Sequence, residues 1–415
     1  MTHTLDVFLE QRLVGHLIQD DDGQMLFSYD LTWLEKSGSF AISHSLPLRE
    51  GQFRQKVCRG FFSGLLPEEE NRRVIARIFQ ISDKNDFAML ERIGGECAGA
   101  LAFVPAGEPL PAADGEYREL SDDELADILE TLPRRPLLAG EKGVRLSLAG
   151  AQDKIAVRVD AEGRISLPLN YAPSTHILKP AIATWKGLVS NEAFCMALAS
   201  SVGLEAAPTT ARKLGDIDYL LSQRYDRAVD EFGVIHRRHQ EDFCQALGVP
   251  SEMKYQAEGG PGLVQCFDLL RVVSSNAVAD LRGLLDAVLF NLLIGNNDAH
   301  AKNYSILYGR DGKGRLAPLY DLVCSVYYPE IENRLAMKIG GQSNFDLVRP
   351  KDIEVFAKNA NLGVALTRQR VAELAERVRI ALEEMQKPDE TAGEIAALIA
   401  VRCKKVLSRF GQTKG

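Results

Sequence analysis

One strongly apolar helix runs directly into the densest polar cluster of the chain. In LRGLLDAVLFNLLIG (281–295), leucine and valine recur at helical spacing over a wide stripe, and Gly295 is a natural C-terminal stop. The segment GNNDAHAKNYSILY (295–308) follows at once and ends in residues typical of a strand. The chemistry that the sequence suggests is concentrated in this polar segment.

A hairpin is predicted after the polar segment. The strand YSILY (304–308) is expected to pair with LAPLYD (316–321) across a glycine-rich turn, so that Asp298 and Asp321 flank the hairpin. If the strands pair, the two ends of the hairpin lie side by side. Two carboxylates and the amide of Asn303 suit a hard divalent cation such as Mg²⁺, which takes oxygen ligands and shares its shell with phosphates.

The residue types in this segment indicate separate roles. Asn303 and Asp321 could hold the metal, while Asp298, five residues before Asn303, could orient and deprotonate an attacking hydroxyl. Lys302 could neutralise a transferring phosphoryl group. A histidine under such a loop, here His300, is more often a structural hydrogen-bonding residue than a catalyst. The alternative is a polar loop that only caps the helix, because short polar side chains satisfy turn amides.

A second group of candidate residues lies upstream. In SLAGAQDKIAVRV (147–159), small residues precede a good strand and leave room for the backbone to approach a phosphate. A tight turn at a sheet edge is the alternative. Lys179 closes the strand THILKP, from which it could reach phosphates held by the loop amides. Glu192, in the first turn of the next predicted helix, could pair with Lys179 or complement the helix dipole.

Composition and periodicity divide the chain into four segments. Residues 1–105 are β-rich, and residues 106–143 have the composition of a linker with one short helix that begins after Ser121. Strand patterns dominate residues 144–250, and helical patterns dominate residues 251–415. The predicted fold class is therefore α+β, with a β-rich N-terminal domain, a strand-rich lobe and a helical lobe.

Charge and cysteine usage narrow the class of protein. A net charge of −8 argues against an independent nucleic-acid binder, which usually carries a basic face. Seven cysteines are scattered without a C-x-x-C pair, which argues against a zinc ribbon and suits a reducing compartment. We find no secretory leader and no run of about 18 apolar residues. We therefore expect a cytoplasmic protein with no membrane segment.

The candidate residues follow the chain order of a protein-kinase-type phosphotransferase: loop, lysine, base, metal ligands. The local motifs differ from the usual kinase set. The loop lacks GxGxxG, no HRD or DFG triplet occurs, and YDLV stands in the place of DFG. A Walker A motif is also absent from the sequence, which disfavours a nucleotide-hydrolysing switch fold.

Several motifs in order resemble those of the HipA toxins of bacterial type II toxin–antitoxin systems, which are serine/threonine kinases with a divergent bilobal kinase fold. The matching segments are FFSGLLPEEENR (61–72), SLAGAQDK (147–154), HILKP (176–180), QRYDR (223–227), HQEDFCQALG (239–248), NNDAHAKNYSI (296–306) and APLYDLVCS (317–325). Because the set spans nearly the whole chain, the resemblance implies a kinase-like N-lobe at 144–250 and a helical C-lobe at 251–415.

The resemblance also implies roles for individual residues. Asp298 is similar to the catalytic aspartate, with Lys302 near it, and Asn303 and Asp321 are similar to the Mg²⁺ ligands. Lys179 resembles the lysine that binds the ATP phosphates. The implied ATP-binding set comprises the loop, this lysine, the hinge and the histidine of the polar segment: Ser147, Leu148, Ala149, Gly150, Ala151, Gln152, Lys154, Lys179, Gln223, Tyr225 and His300.

Two positions in this set need comment. Gln223 stands where the family motif is associated with glutamate, but a hinge binds adenine largely through backbone atoms. Ser147 stands where the family carries a loop serine that becomes autophosphorylated. Phosphorylation there would add nearly two negative charges beside a nucleotide loop, so the resemblance implies loop ejection and self-inactivation.

The resemblance finally implies partners. Known substrates of the family include aminoacyl-tRNA synthetases, with glutamyl-tRNA synthetase the best attested, and their phosphorylation slows translation and growth. The usual partner is a small helix-turn-helix antitoxin similar to HipB, with which the toxin represses its own operon. This chain would then meet operator DNA mainly through the antitoxin. Two alternatives remain: a catalytically silent kinase-like corepressor that acts only through its antitoxin, and a small-molecule kinase of similar fold.

Overall fold

Two compact units make up the structure, a computed structural model that describes residues 2–110, 116–182 and 184–410. The first unit comprises residues 1–180, 212–252 and 306–314, and the second comprises residues 181–211, 253–305 and 315–415. Each unit is therefore assembled from segments that are far apart in the sequence.

The strands and helices occur in separate runs along the chain, as expected of an α+β protein. The strands are β1 (His3–Leu9), β2 (Arg12–Gln19), β3 (Met25–Tyr29), β4 (Glu96–Cys97), β5 (Leu101–Pro105), β6 (Glu116–Glu119), β7 (Leu146–Ser147), β8 (Ile155–Val159), β9 (Ile165–Leu169), β10 (His176–Pro180), β11 (Thr209–Leu214), β12 (Ile217–Gln223), β13 (Arg227–Val229), β14 (Ile235–Arg237), β15 (Gln240–Asp242), β16 (Ser305–Tyr308) and β17 (Gly314–Leu316). The helices are α1 (Leu31–Glu35), α2 (Gln55–Phe62), α3 (Glu69–Phe79), α4 (Asp86–Ile93), α5 (Asp122–Thr131), α6 (Leu188–Ser201), α7 (Phe243–Ala246), α8 (Leu263–Val273), α9 (Ala277–Ile294), α10 (Pro350–Asn359), α11 (Val364–Glu384) and α12 (Glu390–Phe410).

An antiparallel sheet opens the first unit, with strand order β3–β2–β1–β5. Alternate residues of β1, namely Leu5, Val7 and Leu9, are buried, as the alternation in the sequence predicts. Helix α2 packs against this sheet, and the rings of Phe62 and Phe103 meet edge to face at 5.9 Å. One face of the sheet is thereby closed by aromatic side chains.

A second sheet in the order β11–β12–β10–β8–β9–β6 carries Lys179 on β10 and Gln223 on β12, two of the residues predicted to bind nucleotide. Its strand β6 lies in the segment predicted as a linker, where Glu116–Glu119 pairs antiparallel with β9. Helix α5 follows with the capping box that begins at Ser121, and its apolar face joins the core through Leu125 and Leu129. Much of the predicted linker is thus folded, while residues 111–115 lie outside the described residues.

A buried ion cluster joins the N-terminal sheet region to the second sheet. Glu96 accepts hydrogen bonds from Arg224 (3.2 Å), Arg227 (2.7 Å) and Arg237 (2.6 Å), and Arg224 also pairs with Asp226 at 2.7 Å. The three guanidinium groups hold the pKa of Glu96 well below its usual range despite complete burial. Three residues of the QRYDR segment therefore serve packing within this unit.

The second unit is helical, and its central helix is α9. From Leu284 to Ile294 every side chain is buried, so α9 is a core helix. It ends at Gly295, which adopts φ +76° and ψ +43°, the left-handed conformation that glycine takes readily. A Cβ at this position would collide with Val326. The predicted helix and its glycine stop are both confirmed.

The predicted hairpin is present but shorter than expected. Strands β16 and β17 form a three-stranded sheet with β15, in the order β15–β16–β17. The second strand ends at Leu316, so its predicted extension to Asp321 is wrong. Pro318 cannot donate to a strand ladder, and the next residue, Leu319, forms an isolated bridge with Ala206 instead. Among the described residues no helix is long and apolar enough to cross a membrane.

Candidate active site

The predicted site residues fall into two groups, one in each unit. The first unit holds the SLAGAQDK loop, Lys179 and the residues around Gln223. The second unit holds Asp298 to Asn303 and Asp321. Each group is described within its own unit.

The SLAGAQDK loop has the backbone that its small residues predict. Gly150 adopts φ +104°, and a Cβ there would lie 2.6 Å from Nζ of Lys154. Lys154 folds back over the loop and donates to the carbonyl of Ala149 at 2.7 Å. The loop is therefore a tight cradle whose centre requires glycine, with a cationic side chain across it. Such a cradle of backbone and positive charge fits a phosphate group.

The N-terminal FFSGLLPEEENR segment holds this loop by hydrogen bonds. The hydroxyl of Ser147 donates to the carbonyl of Leu65 at 2.7 Å, and the amide of Asn71 donates to the carbonyl of Ala151 at 2.9 Å. The backbone N–H of Glu68 donates to the carbonyl of Gly150 at 3.2 Å. Two motifs that are 80 residues apart therefore form one structural element.

Ser147 is inaccessible in this conformation. Its side chain is 0% exposed, and β7, which contains it, pairs in parallel with β4. A kinase that phosphorylated this hydroxyl would have to separate the strand pair and break the bond to Leu65. Phosphorylation of Ser147 therefore requires the loop to leave the position seen here.

Lys179 lies on the central strand β10, opposite Leu220 of β12, and is 5% exposed. Glu192, its predicted partner, belongs to the second unit. Helix α6 begins at Leu188, which puts Glu192 in the second turn, where the helix dipole has little effect, and not in the first turn as predicted. Glu192 is 3% exposed. The pairing of the two residues stays a prediction.

The hinge candidates flank the buried ion cluster. Gln223 is the exposed last residue of β12, and the hydroxyl of Tyr225 donates to the side-chain oxygen of Gln240. Arg224, which lies between these two residues, and Asp226, which follows Tyr225, are both buried. Alternation along this segment thus points the charged side chains inward and leaves the backbone of Gln223 at the end of its strand.

Asp298 presents an accessible carboxylate just after the end of α9. Its side chain is 58% exposed, and Oδ1 accepts a hydrogen bond from the hydroxyl of Tyr255 at 2.7 Å. The Nε2 atom of His300 lies 3.8 Å from the same oxygen, and the ring of His300 packs edge to face against Tyr255. His300 is itself buried, and its role, structural or in ATP binding, stays a prediction.

Asn303 and Lys302 form the turn that leads from Asp298 into β16. The amide Nδ2 of Asn303 donates to the backbone carbonyl of Asp298 at 2.9 Å, which fixes the side-chain oxygen of Asn303 away from that carbonyl. Lys302 is 7% exposed, and its carbonyl accepts a hydrogen bond from the hydroxyl of Tyr320 at 2.6 Å. The turn is rigid on both sides.

Asp321 is connected to the same turn. Its carbonyl accepts from the amide of Asn296 at 3.5 Å, and the hydroxyl of the preceding Tyr320 lies 2.7 Å from that of Ser305. Asp321 adopts φ +52°, a left-handed conformation that few residues other than glycine, asparagine and aspartate tolerate.

The donor set around this turn fits Mg²⁺. Asn303 and Asp321 would supply an amide oxygen and a carboxylate. In residues 2–110, 116–182 and 184–410, no three His, Cys, Asp or Glu side chains form a metal-binding group. Mg²⁺ does not need such a group, because it usually binds to one or two protein carboxylates and takes its other ligands from phosphates and water.

Asp298 also lines a cavity of about 480 Å³ within the second unit. Its walls include Trp185, Tyr255, Glu332 and Arg334. The segment that carries Glu332 is tied to the residue before Asp298, since Asn297 donates through Nδ2 to the carbonyl of Glu332 at 2.7 Å. The exposed carboxylate therefore borders the cavity, and at least one segment of its wall is fixed to the Asp298 loop.

Two family models match this chain, one in its N-terminal part and one in its C-terminal part. Residues 146–385 match the HipA-like C-terminal domain, and residues 5–104 match the HipA N-terminal domain. The first match alone covers more than half of the chain. The chain belongs to the HipA family.

Individual HipA relatives align over nearly the full length. The chain is 46% identical to the putative kinase Y4mE of Sinorhizobium fredii, over 90% of this chain and 89% of that protein. It is 31% identical to the serine/threonine-protein kinase toxin HipA of Shewanella oneidensis, over 92% of this chain and 89% of the relative. The prediction that the protein is a kinase is confirmed by these relatives.

A solved HipA structure has the same fold. The chain superposes with a TM-score of 0.85 on HipA in a complex of Shewanella oneidensis HipA, HipB and operator DNA, at 28% identity, covering 98% of this chain and 97% of that one. The predicted fold class, a β-rich domain followed by a kinase-like fold with a helical C-lobe, is confirmed.

Sequence reasoning missed Tyr255. The tyrosine lies 43 residues before Asp298, so neither helical nor strand periodicity connects the two. Its segment KYQAEGGPG (254–262) contains three glycines close together, a sign of a constrained loop that the sequence does offer. No local pattern shows which side chain such a loop would present to the site.

Proposed function

We propose that this HipA-family kinase transfers the γ-phosphoryl group of ATP to a serine or threonine of a translation protein. An aminoacyl-tRNA synthetase is the proposed class of acceptor, and glutamyl-tRNA synthetase is the first candidate. The observation that carries the proposal is the exposed, hydrogen-bonded carboxylate of Asp298 beside a cavity, in the domain that matches the HipA C-terminal family.

On the nucleotide side, the tight loop at Gly150 and the cationic Lys154 and Lys179 are proposed to hold the phosphates. Backbone N–H groups and lysines suit this task, because phosphate oxygens accept several hydrogen bonds at once. Gln223 and Tyr225 are proposed to border the adenine. The exposure of Gln223 at the end of β12 supports this role, since a ligand can reach that end of the strand.

On the catalytic side, Asp298 is proposed to accept the proton of the acceptor hydroxyl. Lys302 would offset negative charge near the transferred group, and Asn303 and Asp321 would hold Mg²⁺. Bound Mg²⁺ would neutralise phosphate charge that develops in the transition state. The rigid turn supports these assignments, because positioning supplies much of the rate enhancement in phosphoryl transfer.

Autophosphorylation of Ser147 is proposed as the means of self-inactivation. A phosphate with nearly two negative charges does not fit the buried position in which Ser147 donates to Leu65. The phosphorylated loop would therefore remain displaced from the position seen here, and the phosphate-binding backbone at Gly150 would be lost. ATP binding would be lost with it.

A HipB-like helix-turn-helix antitoxin is the proposed partner, and operator DNA is proposed to be reached mainly through it. The similar HipA structure comes from a complex with HipB and operator DNA, which supports this assembly. The net charge of −8 supports an indirect route to DNA. The chain alone is expected to leave operator-length duplex DNA unshifted in a gel at about 0.15 M salt. A retarded band would contradict this.

The substrate proposal is tested by labelling. The purified protein is incubated with [γ-³²P]ATP, Mg²⁺ and an ATP-depleted bacterial lysate, and labelled proteins are identified by mass spectrometry. We expect a labelled aminoacyl-tRNA synthetase that is absent when the Asp298→Asn variant replaces the wild type. Label only in small metabolites, or no label at all, would contradict the proposed function. Label in a different protein would contradict the proposed substrate alone.

A further inference from the structure

The catalytic carboxylate candidate is held by a side chain from a separate segment. Tyr255 donates its hydroxyl proton to Oδ1 of Asp298 at 2.7 Å, and its ring packs against His300 with centroids 5.3 Å apart. The side chain of Asp298 is otherwise mostly exposed. An exposed carboxylate rotates easily, so a neutral donor on one oxygen restricts the orientation of the other.

Tyr255 is itself fixed by its surroundings. Its carbonyl accepts from the backbone N–H groups of Glu258 and Gly260, each at 3.0 Å. The next residue, Gln256, donates through its N–H to the carbonyl of Ala336 at 3.2 Å and accepts from the N–H of Lys338 at 2.7 Å. The tyrosine thus rests on a braced loop and can impose an orientation on Asp298.

The braced loop also borders the space where an acceptor could bind. Tyr255 and Asp298 line the same cavity of about 480 Å³. Ala336 also lines this cavity, and it connects the two loops: it accepts from the N–H of Gln256, and its own N–H donates to the carbonyl of Asn297 at 3.0 Å. A side chain entering this cavity would therefore come close to both Asp298 and Tyr255.

We propose that Tyr255 is the positioning residue of Asp298, an inference that rests on the proposed function. Its hydroxyl holds Oδ1, so that the other carboxylate oxygen faces the acceptor hydroxyl. In the transfer, the acceptor oxygen forms a bond to the γ-phosphorus of ATP, the bond from that phosphorus to the β–γ bridging oxygen breaks, and the acceptor proton passes to Asp298. Tyr255 keeps its own proton throughout. A group that acts only on orientation affects the chemical step more than nucleotide binding.

The test is Tyr255→Phe, which removes the hydroxyl and keeps the ring against His300. Initial rates of phosphate incorporation from [γ-³²P]ATP into lysate protein are measured over a range of ATP concentrations. We expect the maximal rate to fall between about 5- and 50-fold, since the change removes one charge-assisted hydrogen bond that orients the reacting group. The KM for ATP and the affinity for ATP by calorimetry are expected to stay within about 2-fold of wild type.

The matched control is Tyr327→Phe, which removes a tyrosine hydroxyl that donates to an exposed carboxylate elsewhere in the same unit, Glu394, at 2.5 Å. This variant should retain the wild-type rate. A Tyr255→Phe protein with the wild-type maximal rate, or one whose loss lies in the KM for ATP, would overturn the positioning role. Absence of transfer by the wild type would instead refute the proposed function. Equal thermal unfolding midpoints for the three proteins exclude a loss by misfolding.

Discussion

At the scale of single residues, Glu241 shows how burial and hydrogen bonding compete. Its carboxyl group is 1% exposed and accepts hydrogen bonds from Ser43 (2.5 Å), the N–H of His44 (2.9 Å) and Tyr308 (2.6 Å). Burial outweighs these donors and raises the pKa of Glu241 to about 7. The folded state therefore keeps a proton that the unfolded state has released above pH about 4.5.

The sign of the pH effect follows from this proton. The contribution of Glu241 to the free energy of unfolding is fully present below the pKa of this group in the unfolded state. It is lost as pH rises toward 7, by up to about 1.4 kcal/mol per pH unit. Glu241→Gln removes this loss, so the stability of the variant relative to wild type should increase with pH between about 5 and 7. Urea unfolding at pH 5, 6 and 7 measures the difference. A difference independent of pH would contradict the argument.

At the scale of elements, the contact between α3 and the SLAGAQDK loop sets the loop's position. Asn71→Ala removes the donor to Ala151 and should weaken the local structure by about 1 kcal/mol. We expect amide hydrogen exchange in residues 148–153 to accelerate by roughly 5-fold. Asn85→Ala, which removes the cap of α4 in the same domain, should leave that exchange unchanged. Equal exchange in wild type and Asn71→Ala would show that the loop is held by other contacts.

Elements specified by local pattern could be predicted from the sequence. Helix α9 with its Gly295 stop and α5 with its Ser121 cap follow from spacing and capping residues. The end of β17 at Leu316 was missed although Pro318 signals it, because proline cannot donate to a strand ladder. Strand β6 was missed since its pairing partner β9 is distant in the sequence.

At the scale of the whole molecule, Glu96 connects two family domains within the first unit. It lies in the part that matches the HipA N-terminal domain, while its arginine partners lie in the part that matches the C-terminal domain. Glu96→Gln would leave three buried guanidinium groups with too little negative charge. We expect a loss of about 3–5 kcal/mol in the free energy of unfolding, measured in urea.

An exposed control separates this effect from a general loss of charge. Glu70, 63% exposed, pairs with Arg73 and Arg77 on the surface of α3. Glu70→Gln should cost less than about 1 kcal/mol, because surface ion pairs are screened by water. If the two variants unfold at the same urea concentration, the buried cluster does not couple the domains.

The candidate site residues that could be predicted from the sequence are those marked by their residue type and their spacing along the chain. Asp298, Asn303 and Gly150 were predicted from spacing and residue size, and the motifs that resemble HipA extended the set. Tyr255 and the contact of Asn71 with the loop were missed, because both depend on chain segments that meet only in the folded protein. The proposed function depends above all on the claim that Asp298 is required for phosphate transfer.

The most direct test of that claim is phosphate transfer by Asp298→Ala. Because the side chain is 58% exposed, the substitution should leave the fold and the unfolding midpoint unchanged. With [γ-³²P]ATP and Mg²⁺, we predict transfer at the background level for Asp298→Ala and at the wild-type level for Asp311→Ala, which changes an exposed aspartate in the hairpin turn. Undiminished transfer by Asp298→Ala would contradict the account.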